Sequence, residues 1–340
     1  VTSLVIGVVT GAVLQVAIQL PGMRGLRLRP RLDLSHPGVR AILKLYAPVA
    51  VGLIVSNIGV IIDRNLASHT GEGSIAAMRF ATTLAQFPLG LVATATSFAI
   101  LPTLSRHASS VISHQSSVLG PQSSAYTATL KMGMKMVLVL IVPAAVGLAV
   151  LREPVVQLIF QRQAFDASAT ALTALAFLGY SPGIVFNAVD QLFIFAFYAR
   201  KDTRTPVAVG IMAVFVYLAV ALPLVRPLGM LGLVLANSAQ WTSHALVLLW
   251  LLNRRVAGVI DADIGVFLLK VAAASAVMGV VCEAGLAVAG PLASTGPGVA
   301  ALVAGEAALG GAVYAGAVVL LRVREAHQVW RMVEARIRRR

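Results

Sequence analysis

Residues 137–150 read VLVLIVPAAVGLAV, a stretch with no charge and no alternation of apolar and polar side chains. A strand of a membrane barrel alternates over about 10 positions, so this stretch reads as helix. Extended to 132–151 it reaches the ~20 apolar residues that a helix needs to cross a hydrocarbon core ~30 Å thick. Eight further runs fit the same template, at 1–20, 43–66, 79–102, 168–197, 206–225, 229–252, 264–290 and 297–321. The expected fold class is an all-α polytopic membrane protein with about nine transmembrane helices.

Composition points the same way. Of 340 residues 58% are hydrophobic and 12% charged, about half the ~25% charge of soluble domains, and the mean hydropathy is +0.87. These values exclude a water-soluble fold. A single cysteine, Cys282, excludes an intramolecular disulfide, and six scattered histidines give no zinc-binding spacing. The formal charge of +14 would suit a nucleic-acid binder only on a polar surface that this chain lacks, so anionic membrane lipids are the expected partner and nucleic acid is not.

The basic residues also orient the chain, because short cytoplasmic loops collect Lys and Arg. The connection after the first run holds six (Arg24, Arg27, Arg29, Arg31, Arg40, Lys44), and every second connection after it holds three: Arg106, Lys131 and Lys135, then Arg200, Lys201 and Arg204, then Arg254, Arg255 and Lys270. The tail after the last run adds seven (Arg322, Arg324, Arg331, Arg336, Arg338, Arg339, Arg340), against five on the other side (Arg64, Arg79, Arg152, Arg162, Arg226). This asymmetry predicts a cytoplasmic C-terminus. Residues 21–42 and 322–340 mix basic with apolar side chains and read as arms on the membrane surface, the second with a solvated basic tail as the alternative. Residues 105–128, rich in Ser, Gln and His, read as a polar linker. The chain opens on Val1 inside an apolar run with no basic lead-in and reads as truncated.

Three stretches resemble the MurJ/MviN family of lipid II flippases: DRNLASHTGEGSIAAMRFATTLAQFPLGLVATATSFAILPTLSR at 63–106, LIFQRQAFDASATALTALAF at 158–177, and AFYARKDTRTPV at 196–207. The resemblance spans essentially the whole chain. It implies a two-lobed exporter of fourteen helices, of the multidrug/oligosaccharidyl-lipid/polysaccharide exporter superfamily, with the nine runs similar to helices six to fourteen. Residues 1–20 would then be the last helix of a truncated N-lobe, 21–42 a cytoplasmic amphipathic linker, 43–252 a six-helix bundle forming the C-lobe, 264–321 two additional helices, and 322–340 a basic cytoplasmic tail. The implied activity is transport of undecaprenyl-linked lipid II to the outer leaflet of the bacterial cytoplasmic membrane by alternating access, with other cell-wall synthesis proteins as further candidate partners. In the family most essential arginines lie in the first lobe, outside this sequence.

Ionisable residues inside spans are the default functional candidates. Asp63, Arg64 and Arg79 fall together at the turn between the second and third runs, either as a charged cluster at a cavity mouth or as an Asp63–Arg79 or Arg64–Glu72 pair tying the hairpin. Family members commonly carry Asp-Arg where this chain has Thr82 and Thr83. Arg79, one turn before Thr83, is expected to substitute as the phosphate contact, and Gln86 to add a hydrogen bond. The resemblance also raises a sodium site on Asp63 and Asn237, expected to be incomplete because Tyr217 and Ala221 stand at two other ligand positions; sodium is the only cofactor raised. Asp190, beside Asn187 and Gln191, reads as a protonatable coupling residue or as the partner of another polar group. Glu283 and Glu306 lie in the last two runs, Glu306 amid small residues and read as buried. Pro48, Pro88, Pro143, Pro182 and Pro223 interrupt runs, Pro88 being the first hinge candidate.

Other classes remain to be weighed. A drug or polysaccharide exporter would share the fold, and a non-transporting fragment or scaffold would share the sequence. A membrane transferase is disfavoured, because such enzymes cluster carboxylates around Mg²⁺ and the only close acidic pair is Asp261 and Asp263.

Overall fold

The computed structural model describes residues 2–23, 36–99, 121–256, 258–290 and 296–323. The basic positions at 24–35, the stretch 105–120 and the tail from 324 onward lie outside the described residues. All regular elements among those described are helical: α1 (Thr2–Gln19) followed by a short 3-10 turn (Leu20–Met23), α2 (Pro37–Ser68), α3 (Ser74–Ala99), α4 (Pro121–Val150), α5 (Arg152–Phe160), α6 (Ala167–Ala199), α7 (Arg204–Leu228), α8 (Met230–Arg255), α9 (Ala262–Ala289) and α10 (Gly296–Leu320). The chain divides into two compact units, Val1–Lys44 and Leu45–Arg340.

Long helices fall on each of the nine apolar runs. Six of them, α2, α4, α6, α7, α9 and α10, are long and apolar enough to cross a membrane. In α8 the polar series Asn237, Ser238, Gln240, Thr242, Ser243 and His244 lowers the apolarity that the run at 229–252 suggested. Two helix starts and one short helix differ from expectation. Helix α2 begins at Pro37, six residues before the run at 43–66, because proline suits the first turn of a helix and the His36 ring Nδ1 accepts from the Gly38 N–H at 3.1 Å. Helix α4 begins at Pro121, inside the stretch read as linker, and its Tyr126 hydroxyl donates to the Ala196 carbonyl on α6 at 2.8 Å. Helix α5 was not expected; nine residues are too few for a span, but Val155 and Val156 bury one face of it.

In the second unit α6 runs through the centre, packed against α3, α4, α5 and α8, while α7 lies on α8 and α9 lies on α4 and α10. Phe177, Ile184, Leu192 and Phe193 of α6 are fully buried with Leu84, Leu130, Ile141, Leu233 and Leu248 of its neighbours. Outward positions are apolar too: Phe87, Phe215 and Leu269 are more than half exposed, as suits a surface meant for hydrocarbon. Phe80 of α3 meets Phe160 and Phe165 at ring distances of 4.9 and 5.1 Å, so two of the three quoted sequence signatures meet in one aromatic cluster.

The central contact is the close approach of α6 and α8. A Cβ at Gly183 would lie 2.7 Å from the Ser238 Cα and 2.8 Å from the Trp241 ring. One turn earlier the Ser238 hydroxyl donates to the Gly179 carbonyl at 2.6 Å. Small residues four apart let membrane helices approach in this way. A single residue, Gly229 at φ +56°, links α7 to α8; its φ and ψ together are open only to glycine.

Ionic contacts gather at one end of the bundle. Asp202 accepts from the Thr205 N–H at 3.0 Å and hydroxyl at 2.6 Å and pairs with Arg255, which also lies over the Phe197 ring. Lys201 takes the left-handed conformation just before it. The signature at 196–207 is thus a helix–turn–helix corner organised by Asp202. Nearby, Lys131 pairs with Asp261, and Lys135 with Asp263 at 2.6 Å, joining α4 to the start of α9. Burial would raise the Asp202 pKa, but the Thr205 donors and the Arg255 guanidinium outweigh it and hold the carboxyl below its ordinary 3.8. Asp261 is held low by the Lys131 ammonium and the Ile264 N–H.

Gly183→Ala is expected to destabilise the bundle by about 1–3 kcal/mol, as overpacking does, whereas Gly305→Ala, where no atom lies within 4 Å, leaves thermal unfolding in detergent unchanged. Because the unfolded chain takes up protons first at Asp202 and Asp261, their support is complete above pH ~4 and is lost as pH falls below it; an acid unfolding curve of Asp202→Asn is expected to show a smaller loss than the parent.

Candidate functional site

A cavity of about 460 Å³ opens between α2, α3, α6, α7 and α8. Helix α2 contributes Ser56, Gly59, Asp63 and Arg64, α3 contributes Arg79 and Thr82, and α8 contributes Asn237, Gln240 and Trp241. Its floor is aromatic: the buried Tyr180 ring stacks on Trp241 with centroids 5.6 Å apart. Position along each helix explains the convergence. Asn237 and Trp241 are four apart and share a face of α8, and Arg64 follows Asp63 at the end of α2 nearest the α2–α3 turn.

Asp63 is held in place. Its Oδ1 accepts from the Tyr217 hydroxyl at 2.6 Å and from the Asn237 Nδ2 at 3.1 Å, and Asn237 also donates to the Leu233 carbonyl. The hairpin-tying alternative is not formed: Asp63 makes no ion pair with Arg79, nor Arg64 with Glu72. Among the described residues neither the Arg64 nor the Arg79 guanidinium has an ion-pair partner, and both are exposed towards the cavity. The site therefore offers two cations and one carboxylate already supplied with donors. That arrangement can take an anionic group by paired, charge-assisted hydrogen bonds.

The other sequence candidates are placed differently. Thr83 and Gln86 do not line the cavity; the Thr83 hydroxyl turns back to the Arg79 carbonyl at 2.8 Å, and Thr82, one residue earlier, takes the lining position. Asp190 lies away from the cavity, buried against His244. Glu306 is buried between α9 and α10 beside Gly285, with Oε2 unpartnered among the described residues, and Glu283 is exposed. Asp261 and Asp263 are each taken up by a lysine, and no group of three His, Cys, Asp or Glu fit for a metal occurs among the described residues.

Around Asp63 the Tyr217 hydroxyl and the Asn237 amide both turn donors towards the carboxylate, and Ala221, at the other position that the resemblance raised for sodium, brings no oxygen. Tyr217, read from sequence as a lost ligand, is the residue that occupies Asp63. A phenol on the α7 face opposite an acid in α2 was the available signal.

The profile of the family described as lipid II flippase MurJ matches residues 1–290. The chain belongs to the MurJ lipid II flippase family. It is similar to the Haemophilus influenzae protein named "Probable lipid II flippase MurJ", with 33% identity over 288 residues, covering 82% of this chain and 54% of that one. It is similar also to the Burkholderia cenocepacia protein named "Lipid II flippase MurJ", at 30% identity, covering 61% of this chain and 40% of that one. The chain thus spans about half, or less, of the length of these MurJ relatives. A solved structure titled lipid II flippase MurJ, inward closed conformation, superposes with a TM-score of 0.64 at 20% identity, covering 88% of this chain and 57% of that one, which shows the MurJ fold. Family membership and the apolar helices make this a multi-pass inner-membrane protein.

Thermal unfolding of the protein in sodium chloride and in potassium chloride of equal strength is expected to coincide. Tyr217→Phe, which takes one donor from Asp63, is expected to cost about 1–3 kcal/mol in either salt. A sodium-specific rise in melting temperature of the parent would refute the donor-filled reading.

Proposed function

We propose that this chain forms the second lobe of a carrier that moves the lipid-linked peptidoglycan precursor, lipid II, from the inner to the outer leaflet of the cytoplasmic membrane. The observation that carries the reading is the cavity holding Arg64 and Arg79 without ion-pair partners, in a chain of the MurJ family. A pyrophosphate-linked sugar headgroup cannot cross hydrocarbon unaided, since desolvating its charges costs too much. Two free guanidiniums supply the counter-charge that the headgroup leaves behind in water. Arg79 can take a phosphate by two parallel hydrogen bonds, and the Tyr180–Trp241 floor excludes water beneath it.

Orientation follows from charge. With the Arg200–Arg204 turn and the Arg254–Arg255 helix end in the cytoplasm, the cavity's two arginines stand near the opposite face, where a cargo delivered to the outer leaflet leaves. The donors that fill Asp63 speak for a lobe that works without a resident sodium ion, so the driving force acts on protons or on the cavity charges through the membrane potential.

Arg79→Ala, placed at the native chromosomal locus in cells depleted of any other lipid II flippase, is expected to abolish growth and to trap lipid II on the cytoplasmic side. Arg79→Lys keeps the charge and loses the two-pronged hydrogen bond, so it is expected to retain only part of the activity. An accessibility assay for lipid II at the outer face reads both, and normal export by Arg79→Ala would refute the role.

A further inference from the structure

Apart from the cavity, the second unit buries a titratable pair in the middle of its helices. Asp190 of α6 and His244 of α8 are 10% and 13% exposed, and the His244 Nδ1 lies 2.6 Å from the Asp190 Oδ1. The other ring nitrogen, Nε2, lies 3.3 Å from the Pro206 carbonyl of α7. A carbonyl only accepts, so Nε2 carries a hydrogen. Nδ1 and Oδ1 then share a single proton. With that proton on the ring the pair is imidazolium and carboxylate; with it on the acid the pair is imidazole and carboxyl. Both forms are neutral overall and keep all three helices joined. Without it, two lone pairs face each other at 2.6 Å and a net negative charge sits in a low-dielectric interior, where such contacts are most costly.

We infer that Asp190 and His244 form a proton-binding site of the carrier, a latch that holds α6, α7 and α8 together while one proton is bound and releases them when that proton leaves to water.

The site's depth suits the role. Asp190 stands ten residues before Arg200 and His244 eleven before Arg255, which at 1.5 Å per residue is about 15 Å from that end, half of a ~30 Å core. Other charges on the surrounding elements are engaged elsewhere: Lys131 and Lys135 of α4 with Asp261 and Asp263, and Arg255 of α8 with Asp202. Arg204 opens α7, Arg79 of α3 faces the cavity, and Tyr126 of α4 donates to Ala196. On Asp190 and His244 the one charge acting among the described residues is each other's. The latch also reaches the cavity. Asn237, Trp241 and His244 are spaced four and three apart and fall on one stripe of α8, so the helix that releases Asp190 is the one that holds Asp63 and floors the cavity. A shift of α8 at His244 is carried along that stripe as a rigid body. That the latch governs transport rests on the flippase reading; proton binding does not.

Two tests separate these. The chain carrying Trp250→Phe and Trp330→Phe leaves Trp241 as its one tryptophan, placed in nanodiscs without any cargo. Its emission is expected to pass through one reversible transition on titration from acid to alkaline pH, and the double variant Asp190→Asn, His244→Gln to lose that transition. Absence of a transition in the parent, or its persistence in the double variant, overturns the proton site. Should the double variant fail to fold, infrared difference spectra of the unsubstituted chain and of Asp190→Asn over the same range decide: a histidine-ring or protonated-carboxyl band that titrates in the first and is missing from the second supports the site, and identical difference spectra overturn it. In cells, the double variant is expected to lose at least tenfold in lipid II export. If export persists undiminished while the transition is lost, the coupling role is overturned and the flippase reading stands. If the unsubstituted protein exports no lipid II, the flippase reading falls while the emission transition keeps the proton site.

Discussion

The close seating of α6 on α8 at Gly183 is the contact on which the other features depend. No side chain larger than hydrogen fits between the Gly183 Cα and the backbone of Ser238, and the Ser238 hydroxyl spans the remaining gap to the Gly179 carbonyl. Van der Waals contact and a hydrogen bond replace the hydrophobic effect here, because lipid tails are as apolar as the helix faces they leave. From that seat the polar side chains of α8 are aimed. Trp241 lies against Tyr180, Asn237 reaches Asp63, and His244 meets Asp190.

Polar groups are handled in two ways along the depth of the bundle. At one end full charges pair across helices: Lys131 with Asp261, Lys135 with Asp263 and Arg255 with Asp202. These pairs are partly exposed and each contributes little by itself, but they stand where α7, α8 and α9 begin or end and tie α4 to the start of α9. Away from that end, the Asp63 and Asp190 carboxyls are met by neutral or proton-sharing donors, Tyr217 and Asn237 for Asp63 and His244 for Asp190, while the buried Glu306 keeps its Oε2 unpartnered among the described residues. An unpaired charge at that depth is expensive, and a donor that brings no second charge satisfies the acid without creating another ion to desolvate. Arg64 and Arg79 have no ion-pair partner among the described residues. They stand at the cavity wall without an anion, where water or a cargo can meet them.

Much of this is legible in the sequence. The apolar runs located the long helices because a spanning helix needs a length that composition alone reveals, and Asp63, Arg64, Arg79 and Asn237, singled out as ionisable or polar groups in spans, do converge on one cavity. Thr83 and Gln86 do not, since a helix position predicts a face only to within the rotation that neighbours impose. Helix α5 escaped notice because nine residues carry too little periodicity to stand apart from a loop. Among six scattered histidines nothing in the sequence alone singles out His244. Its place on the Asn237–Trp241 stripe was readable, but only a partner on another helix gives that place meaning.

The amino-acid sequence by itself determined that the chain is helical, lies in a membrane and carries the signatures of its family, because length, apolarity and local motifs are properties of contiguous residues. Tertiary structure alone decided which donors meet which acids: Tyr217 with Asp63 across 154 positions, and His244 with Asp190 across 54. Such pairings depend on the rotation and depth of separate helices, which are set by how α2, α6, α7 and α8 meet and leave no trace in the spacing along any one of them.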